Sequence, residues 1–452
     1  MMNRNVTEPA VGAPQMIQFS SRVVQAQTSD LATKIVVWFG LFTVLPVVYF
    51  LYWPSVYAFY GAVLLGSGFQ YALRGKFPHI NLPAVVGVKF ALMVALLIFY
   101  SDSAANALNI GGVIFVEAFA LWFMTDAVAE SSRSQFFKTL ARLAVLNILI
   151  YFVISVALSR FISIQNPIED FLTGERVRLL AFQTGHSILI DLAFISMAIA
   201  VSNIAKLGLL EAISITAIAI VSIFLAKSAG GYLVLLSVAF AFAIEIIEVN
   251  NIIRALLYVP FFLAISAFFL QPDLLTDAIF YVRTELQGVS VAQYQNGDLS
   301  AGRALLNDML TKVILENPWT GVGHDDPVIQ YGTNIYSGFG LSERKTATTE
   351  SGLRNAAQYG IPYFCCVVAF ILQPLLIAFQ SQERDVRIFC QSLSFGLLTL
   401  LAVNSQFEVP HEPQHFIYFS LLALAVQFGL KRRSAARKQP KSTNFARSIT
   451  VE

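Results

Sequence analysis

An all-α, polytopic membrane protein with about twelve transmembrane helices is predicted by three features of the 452-residue sequence. The chain is 56% hydrophobic and only 13% charged, and its mean hydropathy of +0.65 is too high for a soluble globular protein of ordinary composition. Apolar windows of about 17 to 22 residues recur along the chain, and each is long enough to cross roughly 30 Å of hydrocarbon as a helix. Lys and Arg are concentrated in alternate loops, as expected of a chain that crosses a membrane repeatedly.

The predicted spans divide the chain into five regions. They are centred near Leu45, Leu64, Leu92, Ala118, Leu149, Ala193, Ala219, Val238, Leu263, Phe370, Leu398 and Ala423. A polar tail at 1–30 is followed by transmembrane helices 1–9 within 31–270, a long polar loop at 271–358, transmembrane helices 10–12 within 359–430, and a basic tail at 431–452.

Loop charge predicts the orientation of the chain, because cytoplasmic loops carry an excess of Lys and Arg. The even-numbered loops and the C-terminal tail hold the basic residues, namely Arg74, Lys76, Arg133, Lys138, Lys206, Arg254, Arg384, Arg387 and the stretch KRRSAARKQPK from Lys431. The facing loops, such as SDSAANALN from Ser101 and NSQFEVPHEPQH from Asn404, contain neither Lys nor Arg. Both termini are therefore predicted to be cytoplasmic, and the 271–358 loop extracytoplasmic. Glu245, at the cytoplasmic end of the eighth span, is expected to pair with Arg254.

Several classes of function are disfavoured by the residues themselves. The three cysteines, Cys365, Cys366 and Cys390, all fall in predicted spans, so neither a disulfide framework nor a zinc site is expected. The basic tail is interpreted as an orientation signal near anionic lipid and not as a nucleic-acid patch. The chain has no phosphate-binding Gly-rich loop of the nucleotide-binding type. We expect no cofactor, no metal and no nucleic-acid partner.

The long loop contains a predicted amphipathic helix within LSAGRALLNDMLTKVILENP. Its apolar residues recur at helical spacing, at Leu305, Leu306, Met309, Leu310, Val313 and Ile314. Ser300 is a candidate N-cap, and Asn317-Pro318 is expected to end the helix. Arg303 then lies in the first turn, where the helix dipole disfavours a cation. An anionic partner for Arg303 is therefore predicted.

Two glycine-containing stretches surround the remainder of this loop. In ENPWTGVG, we expect Asn317, Pro318, Gly321 and Gly323 to shape a tight turn and not to touch a substrate. A second short helix is predicted at about 349–359. It leads through Gly360-Ile361-Pro362 into the tenth span, so Gly360 is also expected to shape the backbone.

These stretches, taken in order, resemble the O-antigen ligase and polysaccharide polymerase superfamily. The resemblance consists of Gly302-Arg303, then ENPWTGVG, then ESGLRNAAQYGIPYF leading into a span, and it covers about 65 residues of a late extracytoplasmic loop. Many relatives, the ligases in particular, carry a His-Asn pair where this chain has Thr349 and Glu350. Relatives end this pattern with a (Glu or Gln)-x-Gly-x-x-Gly-like turn that leads into a span. In this chain, Tyr363 or a neighbour replaces the last glycine of that turn.

The resemblance implies a chemistry and a set of site residues. It implies a glycan carried on a polyprenyl diphosphate and transferred to an acceptor hydroxyl at the outer face of the bacterial cytoplasmic membrane. Arg176 and Arg178 stand where relatives carry arginine before a mid-chain span, and Lys227-Ser228 stands where they carry Ser-Arg. With Arg303, these side chains are expected to hold the diphosphate without a metal. For Arg178, an anchor at the lipid headgroups before the sixth span is an equal alternative. Glu350 is the candidate general base, with a solvated helix cap as an equal alternative. His324 is a second candidate for the base, but an ordinary loop residue is the favoured interpretation of it.

Three functions are compatible with these features. We prefer a metal-independent glycosyltransferase that polymerises lipid-linked oligosaccharide repeat units for exopolysaccharide, capsule or O-antigen, because the ligase histidine is missing; a ligase is the closest alternative. A transporter of polysaccharide or lipid-linked sugar would also suit about twelve spans, although no inverted repeat is visible. A non-catalytic scaffold of an export complex is the third. The expected partners are the lipid-linked glycan, membrane lipids, and a flippase and chain-length regulator of the same pathway.

Overall fold

The regular secondary structure in the described part of the chain is helical. The computed structural model describes residues 61, 65, 84–125, 130–158, 185–226, 229–247, 250–270, 303–323, 353–403 and 418–426. No β-strand occurs within these ranges. The helices are α1 (Ala84–Phe99), α2 (Ala104–Thr125), α3 (Glu130–Leu158), α4 (Gly185–Ser202), α5 (Ile204–Leu207), α6 (Leu209–Ala226), α7 (Ala229–Ile246), α8 (Asn251–Leu270), α9 (Arg303–Glu316), α10 (Arg354–Tyr359), α11 (Ile361–Gln380) and α12 (Arg384–Val403). Residues 418–426 are also helical.

Three of these helices are long and apolar enough to cross a membrane. They comprise Gln135–Ala157 of α3, Ile361–Gln380, which is α11, and Arg384–Ala402 of α12. Six shorter apolar helices of 10–17 residues accompany them in the described ranges. The prediction of a helical membrane protein is therefore confirmed, whereas the count of about twelve spans stays a prediction.

Helices α4 and α12 form the centre of the bundle. Residues 190–203 and 388–402 are buried throughout. Helices α3 and α6 pack against α4, and α7 and α11 pack against α12. Large apolar side chains on the outer helices, such as Leu210 on α6 and Leu263 on α8, are exposed. Because a bilayer solvates such side chains, this surface suits contact with lipid tails.

The two ends of the bundle differ in chemistry. Helix α11 has 20 residues and so separates its ends by about 30 Å. Beyond its C-terminal end, the carboxylate of Glu245 is 2.9 Å from Nε of Arg254 and 2.7 Å from Nε of Arg387. The expected pairing of Glu245 with Arg254 is thus confirmed, and Arg387 is an additional partner. At the N-terminal end, α11 follows Gly360 and packs against α1. The loop after α1 is the one that sequence analysis predicts to lie on the opposite face from the basic residues.

Candidate functional site

The amphipathic helix of the long loop ends where its sequence predicts. Helix α9 runs from Arg303 to Glu316 and stops immediately before Asn317-Pro318. The side chains of Leu310 and Ile314, on its predicted apolar face, are buried against Ala356 and Ala357 of α10. Residues 305–309 belong to the helix, but their side chains lie outside the described part of the chain. The apolar face therefore joins α9 to α10 and fixes where the glycine-containing segment begins.

Residues 317–323 and 356–361 form one backbone assembly, which we call the clamp. The amide of Val322 donates a hydrogen bond of 2.9 Å to the carbonyl of Ala357, and the amide of Gly323 donates one of 3.0 Å to the carbonyl of Gln358. Both acceptors lie in the last turn of α10, where helix carbonyls have no partner within the helix. On the other side, the amide of Ile361, the first residue of α11, donates to the carbonyl of Pro318 at 2.8 Å. The clamp thus ends one helix and starts the next.

Glycine is required at the points where the two segments of the clamp, 317–323 and 356–361, touch. Gly321, Gly323 and Gly360 have φ angles of 68°, 80° and 86°, which residues with a Cβ atom rarely adopt. A Cβ on Gly321 would come within 3.0 Å of the Gln358 carbonyl, and one on Gly360 would come equally close to the Trp319 carbonyl. These obstructions are backbone atoms. The spacing of the glycines in the sequence therefore reflects two close backbone approaches and three left-handed conformations.

The segment between α1 and α2 supports the clamp from beside it. The hydroxyl of Tyr100 donates to the carbonyl of Gly321 at 2.7 Å and lies 3.2 Å from that of Thr320. Burial raises the pKa of the Tyr100 hydroxyl, so it remains a donor at neutral pH. A Cβ on Gly323 would lie 2.7 Å from Nδ2 of Asn106. This segment belongs to the loop that contains neither Lys nor Arg, so the clamp lies at the end of the bundle that carries that loop.

A buried ion pair lies between α1 and α2, close to the clamp. The ammonium of Lys89 contacts the carboxylate of Glu117, and both side chains are fully buried. Nζ of Lys89 lies 5.2 Å from the centroid of the Tyr363 ring in the first turn of α11. Sequence analysis missed this pair, because each residue falls inside an apolar window whose average conceals it. A charged residue inside a predicted span was the available signal.

The structure brings together some of the predicted site residues. Asn317, Pro318, Gly321, Gly323 and Gly360 all lie in the clamp. Arg303 is the first residue of the 14-residue helix α9, so its backbone lies about 20 Å along that helix from the clamp. The other predicted site residues lie outside the described residues, and they are Arg176, Arg178, Lys227, His324 and Glu350.

The described residues include no group of three or more His, Cys, Asp or Glu side chains that could hold a metal ion. Cys365 and Cys366 on α11 and Cys390 on α12, which all lie in the described ranges, form no disulfide bond.

Comparison with known families identifies the region that contains the clamp. Residues 214–364 match the O-antigen ligase family. The match includes α9, both segments of the clamp and the start of α11. It confirms the resemblance to the O-antigen ligase and polysaccharide polymerase superfamily. No curated protein matches the chain.

Proposed function

We propose that this protein is a polymerase of oligosaccharide repeat units carried on polyprenyl diphosphate, acting at the outer face of the bacterial cytoplasmic membrane. The main support for the proposal is that the O-antigen ligase family match at 214–364 contains both segments of the clamp. The apolar exterior and the membrane-length helices are compatible with a lipid-linked substrate. The flippase and the chain-length regulator of the same pathway are its proposed partners.

The proposed reaction exchanges one bond at an anomeric carbon. The oxygen of an acceptor hydroxyl forms a bond to the anomeric carbon of the donor glycan, while the bond from that carbon to the diphosphate oxygen breaks. The electron pair of the broken bond remains on the polyprenyl diphosphate, and the hydroxyl proton goes to the carboxylate of Glu350, with His324 as the second candidate. No nucleotide is consumed, because cleavage of the bond between the anomeric carbon and the diphosphate supplies the driving force.

Cationic side chains are proposed to stabilise the departing diphosphate. Arg178 and Arg303 would each offer paired, charge-assisted hydrogen bonds to its oxygens, and Arg176 and Lys227 would add positive charge. These groups would act where negative charge develops in the transition state, so no metal is required. The clamp then has a structural part in the proposal, since it fixes the join between α10 and α11 while α9 carries Arg303.

Deletion of the gene in its natural host distinguishes polymerase from the alternatives. A host without its polymerase should attach single repeat units to the final acceptor and should lose long chains. Loss of a ligase should leave long chains on the lipid carrier, and loss of a transporter should leave repeat units on the cytoplasmic leaflet. The proposal predicts the first pattern, and either of the other two would overturn it.

Arg303→Lys is expected to lower polymer synthesis nearly as much as Arg303→Ala. A lysine ammonium retains the charge but does not reproduce two parallel hydrogen bonds to a diphosphate. Loss of one charge-assisted hydrogen bond costs about 1.5–3 kcal/mol, or roughly 10- to 100-fold in rate. The measurement is long-chain polysaccharide at matched protein levels in the membrane. Normal chain length in the Lys variant would exclude bidentate binding at this position.

Thiol labelling tests the proposed orientation. A cysteine introduced at Ser101, which is exposed after α1, should react with a membrane-impermeant reagent added outside the cell. One introduced at Ser434, in the basic tail, should react only after the membrane is permeabilised. The opposite labelling would place the clamp on the cytoplasmic face, where the proposed transfer could not take place.

A further inference from the structure

We propose that the buried Lys89–Glu117 ion pair is a positioning element of the clamp: it fixes the aromatic rings on either side of Gly360. The catalytic consequence rests on the proposed function, whereas the structural consequence does not. The pair would act through Tyr363 and Tyr359, and neither charged group would touch the substrate.

The contacts form a continuous path from the ion pair to the clamp. Nζ of Lys89 lies 5.2 Å from the centroid of Tyr363 and 5.5 Å from that of Phe419, which places the ammonium beside two aromatic rings. The rings of Tyr363 and Tyr359 meet edge to face, with their centroids 4.9 Å apart. Tyr359 directly precedes Gly360, and its hydroxyl accepts a hydrogen bond from Nδ2 of Asn109 on α2.

These contacts restrain the backbone at Gly360 from both sides. Tyr359 is the last residue of α10, and Tyr363 lies in the first turn of α11. Both rings are almost fully buried, so they move only if their neighbours move. An ammonium ion held against the faces of two aromatic rings also has a preferred direction, which an apolar side chain of similar size lacks.

The energetics of buried ion pairs support a role in position more than in stability. Burying two charged groups costs a large desolvation free energy, which offsets much of the free energy gained from their attraction. Replacing a buried pair by apolar residues of similar volume is therefore often neutral or stabilising. Removing one partner alone leaves a buried charge and strongly destabilises the fold. A pair retained for its geometry therefore predicts that stability and function separate when both charges are removed together.

The test compares Lys89→Met, Glu117→Met and the double variant in the full-length purified protein. Three quantities are measured: the melting temperature, hydrogen exchange of the clamp amides of Val322, Gly323 and Ile361, and kcat for elongation of lipid-linked repeat units. Each single variant should melt below the wild type. The double variant should regain the wild-type melting temperature, yet its clamp amides should exchange at least about tenfold faster and kcat should fall about 10²-fold.

The matched control is Arg142→Met/Glu211→Met, which removes another pair between two helices. Those side chains are 61% and 30% exposed, so losing the pair should leave the melting temperature, the clamp exchange and kcat near wild-type values. Tyr363→Leu is a second test variant, because it retains the ion pair but removes the ring. It should accelerate exchange in the clamp as the double variant does.

Wild-type exchange at the clamp in a folded double variant or in Tyr363→Leu would overturn the proposal. Hydrogen exchange does not depend on the reaction, so an inactive wild-type protein would count against the proposed function alone. Wild-type kcat in a double variant whose clamp exchanges faster would exclude the catalytic consequence and leave the structural one.

Discussion

Gly360→Ala is expected to open the clamp and to abolish most polymer synthesis. Gly360 has φ of 86° and ψ of 166°, a region of backbone space that is essentially restricted to glycine and costs other residues about 1–3 kcal/mol. The new Cβ would also lie within 3.0 Å of the Trp319 carbonyl. Relief of that overlap would separate the two segments of the clamp and break the 2.8 Å hydrogen bond from the amide of Ile361 to the carbonyl of Pro318.

The combined cost is a large share of an ordinary folding free energy of about 5–15 kcal/mol. Thermal unfolding and hydrogen exchange at Ile361 measure the structural loss, and chain length measures the functional one. Gly87→Ala is the matched control, because Gly87 lies within α1 and a Cβ there would meet no atom within 4 Å. The free energy of unfolding of that variant should equal the wild-type value or exceed it by up to about 1 kcal/mol. A Gly360→Ala protein with wild-type exchange and chain length would contradict the description of the clamp.

Glu350→Gln is expected to lower the elongation rate by a factor on the order of 10² to 10⁴ if the Glu350 carboxylate takes the acceptor proton. Glutamine retains the size and much of the hydrogen bonding of glutamate, but it is not a base at neutral pH. The protein should reach the membrane and bind its lipid-linked substrate as before. The loss should therefore be in kcat and not in KM.

A capping role for Glu350 predicts a different result. Glutamine at a helix cap should cost only about 1 kcal/mol of local stability and leave turnover largely unchanged. Glu350→Asp is a useful companion variant, because it retains a carboxylate, displaced by one methylene, and should preserve part of the activity. Full activity in the Gln variant would exclude Glu350 as the base and direct attention to His324.

Local features of the fold could be predicted from the sequence because short-range rules decide them. The end of α9 at Glu316 follows from Asn317-Pro318, since proline disrupts the backbone geometry of a continuing helix. The glycines at 321, 323 and 360 stand out because few other residues adopt positive φ. The start of α11 after Gly360 follows from proline in its first turn.

Contacts between distant segments could not be predicted in this way. Helical periodicity identifies apolar faces, but it does not say which helices become neighbours. The hydrogen bond from Tyr100 to Gly321 joins residues 221 positions apart, and the Lys89–Glu117 pair depends on the packing of α1 beside α2. Averaging hydropathy over a window also concealed the charges of Lys89 and Glu117, because the apolar neighbours of each residue dominate the mean.

Elongation by the purified protein is the decisive test of polymerase activity. The protein would be reconstituted in vesicles with polyprenyl diphosphate-linked repeat units, without nucleotide and with a metal chelator, and the products separated by length on a gel. We expect a ladder of chains longer than one repeat, with polyprenyl diphosphate released once for each bond formed. Products that remain single repeats, under conditions in which the protein is folded and binds the lipid-linked substrate, would contradict the polymerase and favour a ligase, a transporter or a scaffold.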